Sequence, residues 1–276
     1  MTDTTKVVEH YDRGDLRGRI ASALTAAGLD GKQLTPQDLS PLDQFHVRGL
    51  ASTIEFAGAV GIERGTRVVD IGSGLGGPSR YLAATFGCQV QGIDLSPSFV
   101  EAATYLAERS GLSEKVTYEC GDALALPVDD ESVDLAWTQH TAMNIADRGL
   151  MYSEAFRVLR PGGPFAIHDI VAGIGELHFP VPWSAGPTTS FLMTPQAMRT
   201  ALEKQGFRVR SWVDRTAEGI AWLGEIRAAA AAEVGPPPPL GLHVVLGSEF
   251  PVMAGNLARN LQEGRASIVQ VVLDKT

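Results

Sequence analysis

Val68–Arg80, VVDIGSGLGGPSR, decides the fold. Arg67–Ile71 (RVVDI) is short and β-branched, the composition of a buried strand. Gly72, Gly74, Gly76 and Gly77 interrupt it, and a helix continues through Tyr81–Phe86. A glycine turn between strand and helix lets the backbone approach a ligand with no Cβ in the way. The helix that follows opens on unpaired N–H groups. Gly72, Gly74 and Gly77 also fit the dinucleotide pattern G-x-G-x-x-G, which by itself discriminates weakly.

Asp70 discriminates better. It stands two residues before Gly72, at the tip of the strand. A carboxylate there repels a pyrophosphate and suits a ligand carrying an ammonium group. S-adenosylmethionine has an ammonium, a sulfonium and no phosphate. Asp94 closes the next apolar run, where a carboxylate accepts from ribose hydroxyls in nicotinamide and S-adenosylmethionine sites alike. It therefore supports an adenosine ligand without choosing between them. Asp122 ends the third run, placed to accept from an adenine amino group, with Ala123 and Leu124 beside it for backbone contacts or packing.

Outward from this stretch the chain alternates strands with helices. Strands are expected at 89–95, 115–120, 133–138, 164–171, 207–213 and 266–273. Helices are expected from Ser96-Pro97 to about Gly111, over 147–159, from Thr194-Pro195 to about Gly206, over 217–233 and over 249–263. Such alternation implies a mostly parallel sheet covered by helices on both faces. Residues 172–192 carry Pro, Gly, Trp and Phe without periodicity and read as a long loop, and Pro236–Pro239 as a stiff break. The first sixty residues read as helical, with turn signals at Gly28–Gly31 and Thr35–Pro41. One domain over 1–276 is expected: a helical lid over 1–60, a cofactor-binding core over 61–171, and acceptor-site insertions with the last strands over 172–276.

Composition narrows the partners. Hydrophobic residues make up 44% and charged residues 20%, an ordinary globular balance. The formal charge of −9 disfavours nucleic acid and anionic membranes. The N-terminus has no apolar core of a signal peptide and no run is long enough to span a bilayer, so a cytoplasmic location is expected. Cys88 and Cys120 are expected as buried, reduced thiols. No His/Cys/Asp/Glu spacing suggests a metal.

Taken in order, VVDIGSGLGG at 68–77, GIDLS at 92–96, GDALALP at 121–127 and VLRPGG at 158–163 resemble the class I S-adenosylmethionine-dependent methyltransferases. The resemblance covers roughly residues 50–215. It implies a Rossmann-like sheet of seven strands whose last strand inserts antiparallel beside the sixth, with insertions after strands five and six. It also implies cofactor contacts from Asp70, Gly72, Ser73, Gly74 and Gly76 to the methionine part, Asp94 and Leu95 to the ribose, Asp122 and Ala123 to the adenine, and Gln139 nearby. Within the class the chain looks most like small-molecule enzymes of the sarcosine/dimethylglycine, tocopherol and quinone-biosynthesis kind. His10-Tyr11-Asp12 resembles a segment that closes over the cofactor, which adds Tyr11 to the contacts, and Gln44-Phe45-His46 resembles a second part of that lid.

Methyl transfer to an O, N or C acceptor is thus the leading reading, with S-adenosylhomocysteine as product and a monomer or homodimer as the working form. A nicotinamide-dependent oxidoreductase and a non-catalytic S-adenosylmethionine-binding subunit are the competitors. Nucleic-acid methylation is further disfavoured because no N/D-P-P-Y/F tetrapeptide follows the fourth strand. Open α/β sheets place ligands at the C-terminal ends of their strands. His140 follows the fourth strand and is a candidate base or acceptor contact, or a structural hydrogen-bonding group. His168, within the fifth strand, and His46, on the lid, are the other catalytic candidates. Asn144, Phe179 and Trp183 are the candidate acceptor contacts, the last two either walling the pocket or covering core.

Overall fold

The computed structural model describes residues 14–232, 235 and 238–276. His10-Tyr11-Asp12, Glu233 and Pro236-Pro237 lie outside the described residues. The described chain opens with three helices, α1 (Leu16–Ala26), α2 (Pro36–Asp43) and α3 (Gly49–Val60). The alternating segment follows: β1 (Arg67–Ile71), α4 (Gly77–Phe86), β2 (Gln89–Asp94), α5 (Pro97–Arg109), β3 (Val116–Cys120), β4 (Leu135–Gln139), α6 (Arg148–Val158) and β5 (Pro164–Ala172). After the long loop come α7 (Pro195–Lys204), β6 (Phe207–Asp214), α8 (Thr216–Ala232), the short α9 (His243–Leu246), α10 (Phe250–Gln262) and β7 (Ala266–Lys275).

The seven strands form one sheet in the order β3-β2-β1-β4-β5-β7-β6. The first five are mutually parallel, while β7 runs antiparallel to both β5 and β6. Asp70 stands level with Gly92 on one side and Trp137 on the other, so the tip of β1 lies at the reversal of strand order where ligands bind. β4 is buried throughout, as its helix-covered position demands. The sheet is therefore the seven-stranded one that the resemblance implies, with strand boundaries within about two residues of those expected.

One N-terminal expectation is overturned. Thr35–Pro41 is not a turn but most of α2. The Thr35 side chain accepts from the backbone N–H of Asp38 and the Asp38 carboxylate accepts from that of Thr35, closing a capping box. Pro36 occupies the first turn, where its missing N–H costs nothing. The cap places Leu39 and Leu42 against Leu16, Ile20 and Leu24 of α1 and Phe99 and Leu106 of α5. The N-terminal helices thus have a core of their own on the flank of the cofactor-side helices.

The cysteine expectation holds for one thiol. Cys88 is buried, but Cys120 ends β3 exposed. β3 is the sheet's outer strand, and its last residues have no neighbour on one side. No described helix is long and apolar enough to cross a membrane.

Candidate functional site

A cavity of about 400 Å³ opens at the C-terminal ends of β1, β2 and β4. Its cofactor-side wall is the glycine turn. Gly72, Gly74 and Gly76 all have positive φ, a conformation other residues adopt only with strain. A Cβ on Gly72 would overlap the Thr141 side chain, and one on Gly77 the backbone oxygen of Asp43. Gly72, Ser73 and Gly74 line the cavity. Gly76 does not. It instead caps α4 with its Cα against the Tyr118 ring, whose hydroxyl donates to the Gly76 carbonyl at 3.2 Å.

The carboxylates expected to bind the cofactor converge here. Asp70 is buried, and its Oδ2 accepts from the Ser79 hydroxyl at 2.5 Å. Burial pushes its carboxyl up to about 7, against the Ser79 hydrogen bond, with nearby Asp94 adding to the rise. Asp94 accepts from the backbone N–H of Gly74 at 2.8 Å through one oxygen and from that of Ser96 at 2.9 Å through the other. It thereby ties the glycine turn to the start of α5. Burial raises its pKa as well, opposed by these backbone donors. Asp122 accepts from the Leu124 N–H at 2.9 Å. Leu95, Asp122, Ala123 and Gln139 all line the cavity.

At the other end three imidazoles meet. The rings of His46, His140 and His168 lie 6.0, 5.6 and 4.9 Å apart, taken as His46–His140, His46–His168 and His140–His168. Their hydrogen bonds separate their roles. His46 Nε2 is 2.9 Å from the Gly49 carbonyl, which can only accept, so Nε2 carries the proton. The Thr53 hydroxyl, also 2.9 Å away, donates to Gln44 Oε1 and is free to accept from the same N–H. In the neutral ring Nδ1 therefore keeps its lone pair, and His46 lines the cavity. Burial holds its pKa down at about 4.

His168 is differently placed. It is 1% exposed and does not line the cavity. The Trp137 indole donates to Gln139 Oε1 at 3.0 Å, which turns the Gln139 Nε2 donor toward His168 Nδ1 at 3.2 Å. Ser52 Oγ lies 3.1 Å from the same nitrogen. With that lone pair engaged, His168 is a buried support under the site, and the catalytic role considered for it is withdrawn. Gln139 likewise spends its amide on Trp137 and His168, though its side lines the cavity. His140 does line the cavity. It adopts φ +50 with its backbone N–H donating to the His168 carbonyl at 2.8 Å, and its Nε2 meets no partner among the described residues. Burial, then the neighbouring His46, holds its pKa well below the ordinary imidazole value.

The expected acceptor contacts divide. Asn144 lines the cavity, but its amide donates to the carbonyls of Trp183 at 2.8 Å and Thr189 at 3.1 Å, fastening the long loop. Phe179 and Trp183 do not line it. Trp183 is 1% exposed, bonds Ser190 Oγ through its indole at 3.0 Å and packs in a cluster with Val47, Leu223, Leu257, Leu261 and Ile268. Phe179 packs on the same cluster. Their apolar bulk is spent between the long loop, α8 and α10, so the pocket-wall role is corrected to core cover. Phe45 lines the cavity from the segment expected as part of the lid, whereas Asp43, Thr141 and Ile145 line it and escape a reading of the sequence. They come from segments without a motif, brought in by α2 and by the short helical turn after β4. No described group of three or more His, Cys, Asp or Glu residues has metal-site geometry.

Comparison with known proteins agrees with this architecture. Residues 69–167 match the family model described as methyltransferase domain. Over 100 residues the chain is 44% identical to a probable chloroplastic tocopherol O-methyltransferase of Oryza sativa subsp. japonica, covering 36% of this chain and 28% of that one. Over 162 residues it is 33% identical to erythromycin 3''-O-methyltransferase of Saccharopolyspora erythraea, covering 58% and 50%. These matches span half or less of the relatives' length. Among solved structures, geranyl diphosphate C-methyltransferase from Streptomyces coelicolor A3(2) superposes with a TM-score of 0.71 at 15% identity, covering 100% of this chain and 99% of that one. Phosphoethanolamine N-methyltransferase 2 of Haemonchus contortus gives 0.71 at 20% identity, covering 96% and 60%. Residues 69–167 thus match a methyltransferase domain, and the chain as a whole has the fold of these methyltransferase structures.

Proposed function

We propose that this chain methylates a hydroxyl oxygen of an uncharged small molecule, with S-adenosylmethionine as donor. The observation that carries the reading is one cavity with two unlike ends. A glycine turn with buried carboxylates stands at one end, and a neutral imidazole with a fixed tautomer at the other. The cradle suits the cofactor: the backbone of Gly72, Ser73 and Gly74 lines the cavity, and Asp94 offers acceptor oxygens beside the turn. When bound, the cofactor supplies a methyl group on a positively charged sulfur.

The chain's own contribution is positioning and proton removal. Holding an acceptor oxygen in near-attack geometry is worth up to about 7–11 kcal/mol in favourable cases. His46 Nδ1 takes the hydroxyl proton as the new O–C bond forms, and releases it to solvent afterwards. Its pKa near 4 keeps it unprotonated at neutral pH. His140, with an open nitrogen on the same wall, orients the acceptor. Among the described residues no Lys or Arg lines the cavity, whereas five aspartates do. That lining disfavours a phosphorylated acceptor. It also disfavours a dinucleotide, the requirement of the oxidoreductase alternative.

The test is incubation with S-adenosylmethionine and matched panels of phenols, sugar or macrolide alcohols, amines and prenyl diphosphates, read by mass spectrometry for an added methyl group. Methylation of hydroxyl compounds is expected. Methylation confined to amines or diphosphates overturns the oxygen reading, and tight binding of a nicotinamide dinucleotide alone overturns the whole.

A further inference from the structure

Beneath the glycine turn lies a buried ion pair that the methyl-transfer chemistry does not require. Arg80 of α4 meets Asp43 of α2 at 2.6 Å, with side chains 0% and 1% exposed. Only Asp43 Oδ2 is used. Its other oxygen, Oδ1, is buried and meets no hydrogen-bond partner among the described residues. Asp43 nonetheless lines the cavity, on the wall it shares with Ser73, Gly74 and Pro78. Its Cγ lies 2.8 Å from where a Cβ on Gly77 would stand, so the carboxylate is pressed against the start of α4 beside the turn. The Gln44 amide, its oxygen engaged by Thr53, brings Nε2 to 2.7 Å from the same point, beside the Asp43 carboxylate. A buried acceptor left open costs free energy unless a donor arrives.

We infer that Asp43 is a cofactor-binding residue supplied from outside the glycine-turn motif, its Oδ1 accepting from the α-ammonium of the cofactor's amino-acid end. The inference rests on the cofactor reading above. Asp70, the carboxylate expected for that ammonium, already has one oxygen committed to Ser79. Asp43 supplies a second acceptor beside the turn; burial pushes its carboxyl up, opposed by the Arg80 guanidinium. A consequence is that the methionine end of the cofactor bridges the N-terminal helices and the sheet.

The test is calorimetric titration of the full chain and of Asp43→Asn with two ligands, S-adenosylhomocysteine and 5'-deoxy-5'-methylthioadenosine. The second lacks the amino-acid group. Loss of a charge-assisted hydrogen bond predicts a roughly ten- to hundred-fold weaker grip on S-adenosylhomocysteine in the variant. Affinity for the truncated nucleoside should stay within about two-fold. Arg80→Gln, which removes the same ion pair but leaves the carboxylate, should weaken S-adenosylhomocysteine less than Asp43→Asn does. Equal losses for both ligands mean that Asp43 only supports the fold, and no loss for either means that it contacts nothing; both outcomes overturn the inference alone. Binding of neither ligand by the unaltered chain overturns the cofactor reading with it.

Discussion

The two ends of the cavity are built by opposite rules. The cofactor end comes largely from β1 through the start of α5, joined by Asp43 and Asp122 from outside that stretch, and its two central carboxylates are paired before any ligand arrives. Asp94 is held by two backbone N–H groups and Asp70 by Ser79. The acceptor end is assembled from α2–α3, the turn after β4 and the underlying β5, and it leaves nitrogens open on His46 and His140. A paired end holds one invariant ligand in one pose. An open end leaves its hydrogen-bonding capacity to be completed by whatever enters, so on the proposed function substrate choice would be set there.

Four measurements strain this contrast. The largest effect is expected for His46→Gln. The glutamine amide can still donate to Gly49 but has no basic nitrogen, so turnover on the acceptor found by the panel should fall by about 10²–10⁴-fold. Affinity for S-adenosylhomocysteine should not change; if it falls in parallel, the two ends are not separate. Next comes Trp183→Ala, which removes a fully buried anchor of the long loop and should cost about 3–5 kcal/mol in urea unfolding. A loss below about 1 kcal/mol, with altered acceptor preference instead, would return Trp183 to the pocket wall.

Asp94→Asn should weaken S-adenosylhomocysteine by on the order of a hundred-fold, since the charged acceptor is lost to the ligand and to Gly74 and Ser96 together. Unchanged binding would remove Asp94 as an anchor. The smallest effect is a pH dependence through Asp70. Its folded pKa, about 7, stands above the ordinary 3.8. The stability it contributes is therefore full below about 3.8 and is lost as pH rises through about 7. The ligand-free protein should lose thermal stability over that interval, and Asp70→Asn should flatten the loss. Affinity for the cationic cofactor should move the other way, strengthening as Asp70 ionises across its pKa of about 7.

Much of the cofactor end is legible in the sequence because its determinants are local. Positive-φ glycines, a strand-tip carboxylate and a Ser-Pro helix start lie within one another's reach along the chain, so residue type and spacing nearly fix the geometry. Gly76 shows the edge of that legibility: the pattern marks it, but only the packing of Tyr118 says that it faces protein and not ligand. The acceptor end resists such reading. His46 and His168 are alike as letters, and the difference is a matter of partners. Gly49 fixes the proton on one ring, while Gln139 and Ser52 occupy the lone pair of the other. The His-Phe-Pro-Val-Pro-Trp run is rigid and apolar on composition alone, yet composition has no direction, and the run turns inward to the core.

By itself the sequence determined the alternation of strands and helices, their approximate boundaries and the glycine turn, because hydrophobic periodicity and backbone conformation act over a few residues. Only the tertiary structure decided which histidines line the cavity and which one lies beneath it, where Trp183 packs, and that Asp43 and Arg80 meet beneath the turn. Those outcomes depend on burial and on hydrogen-bond partners far apart in the chain, and a buried polar atom acquires its role from the neighbours that satisfy it or leave it open.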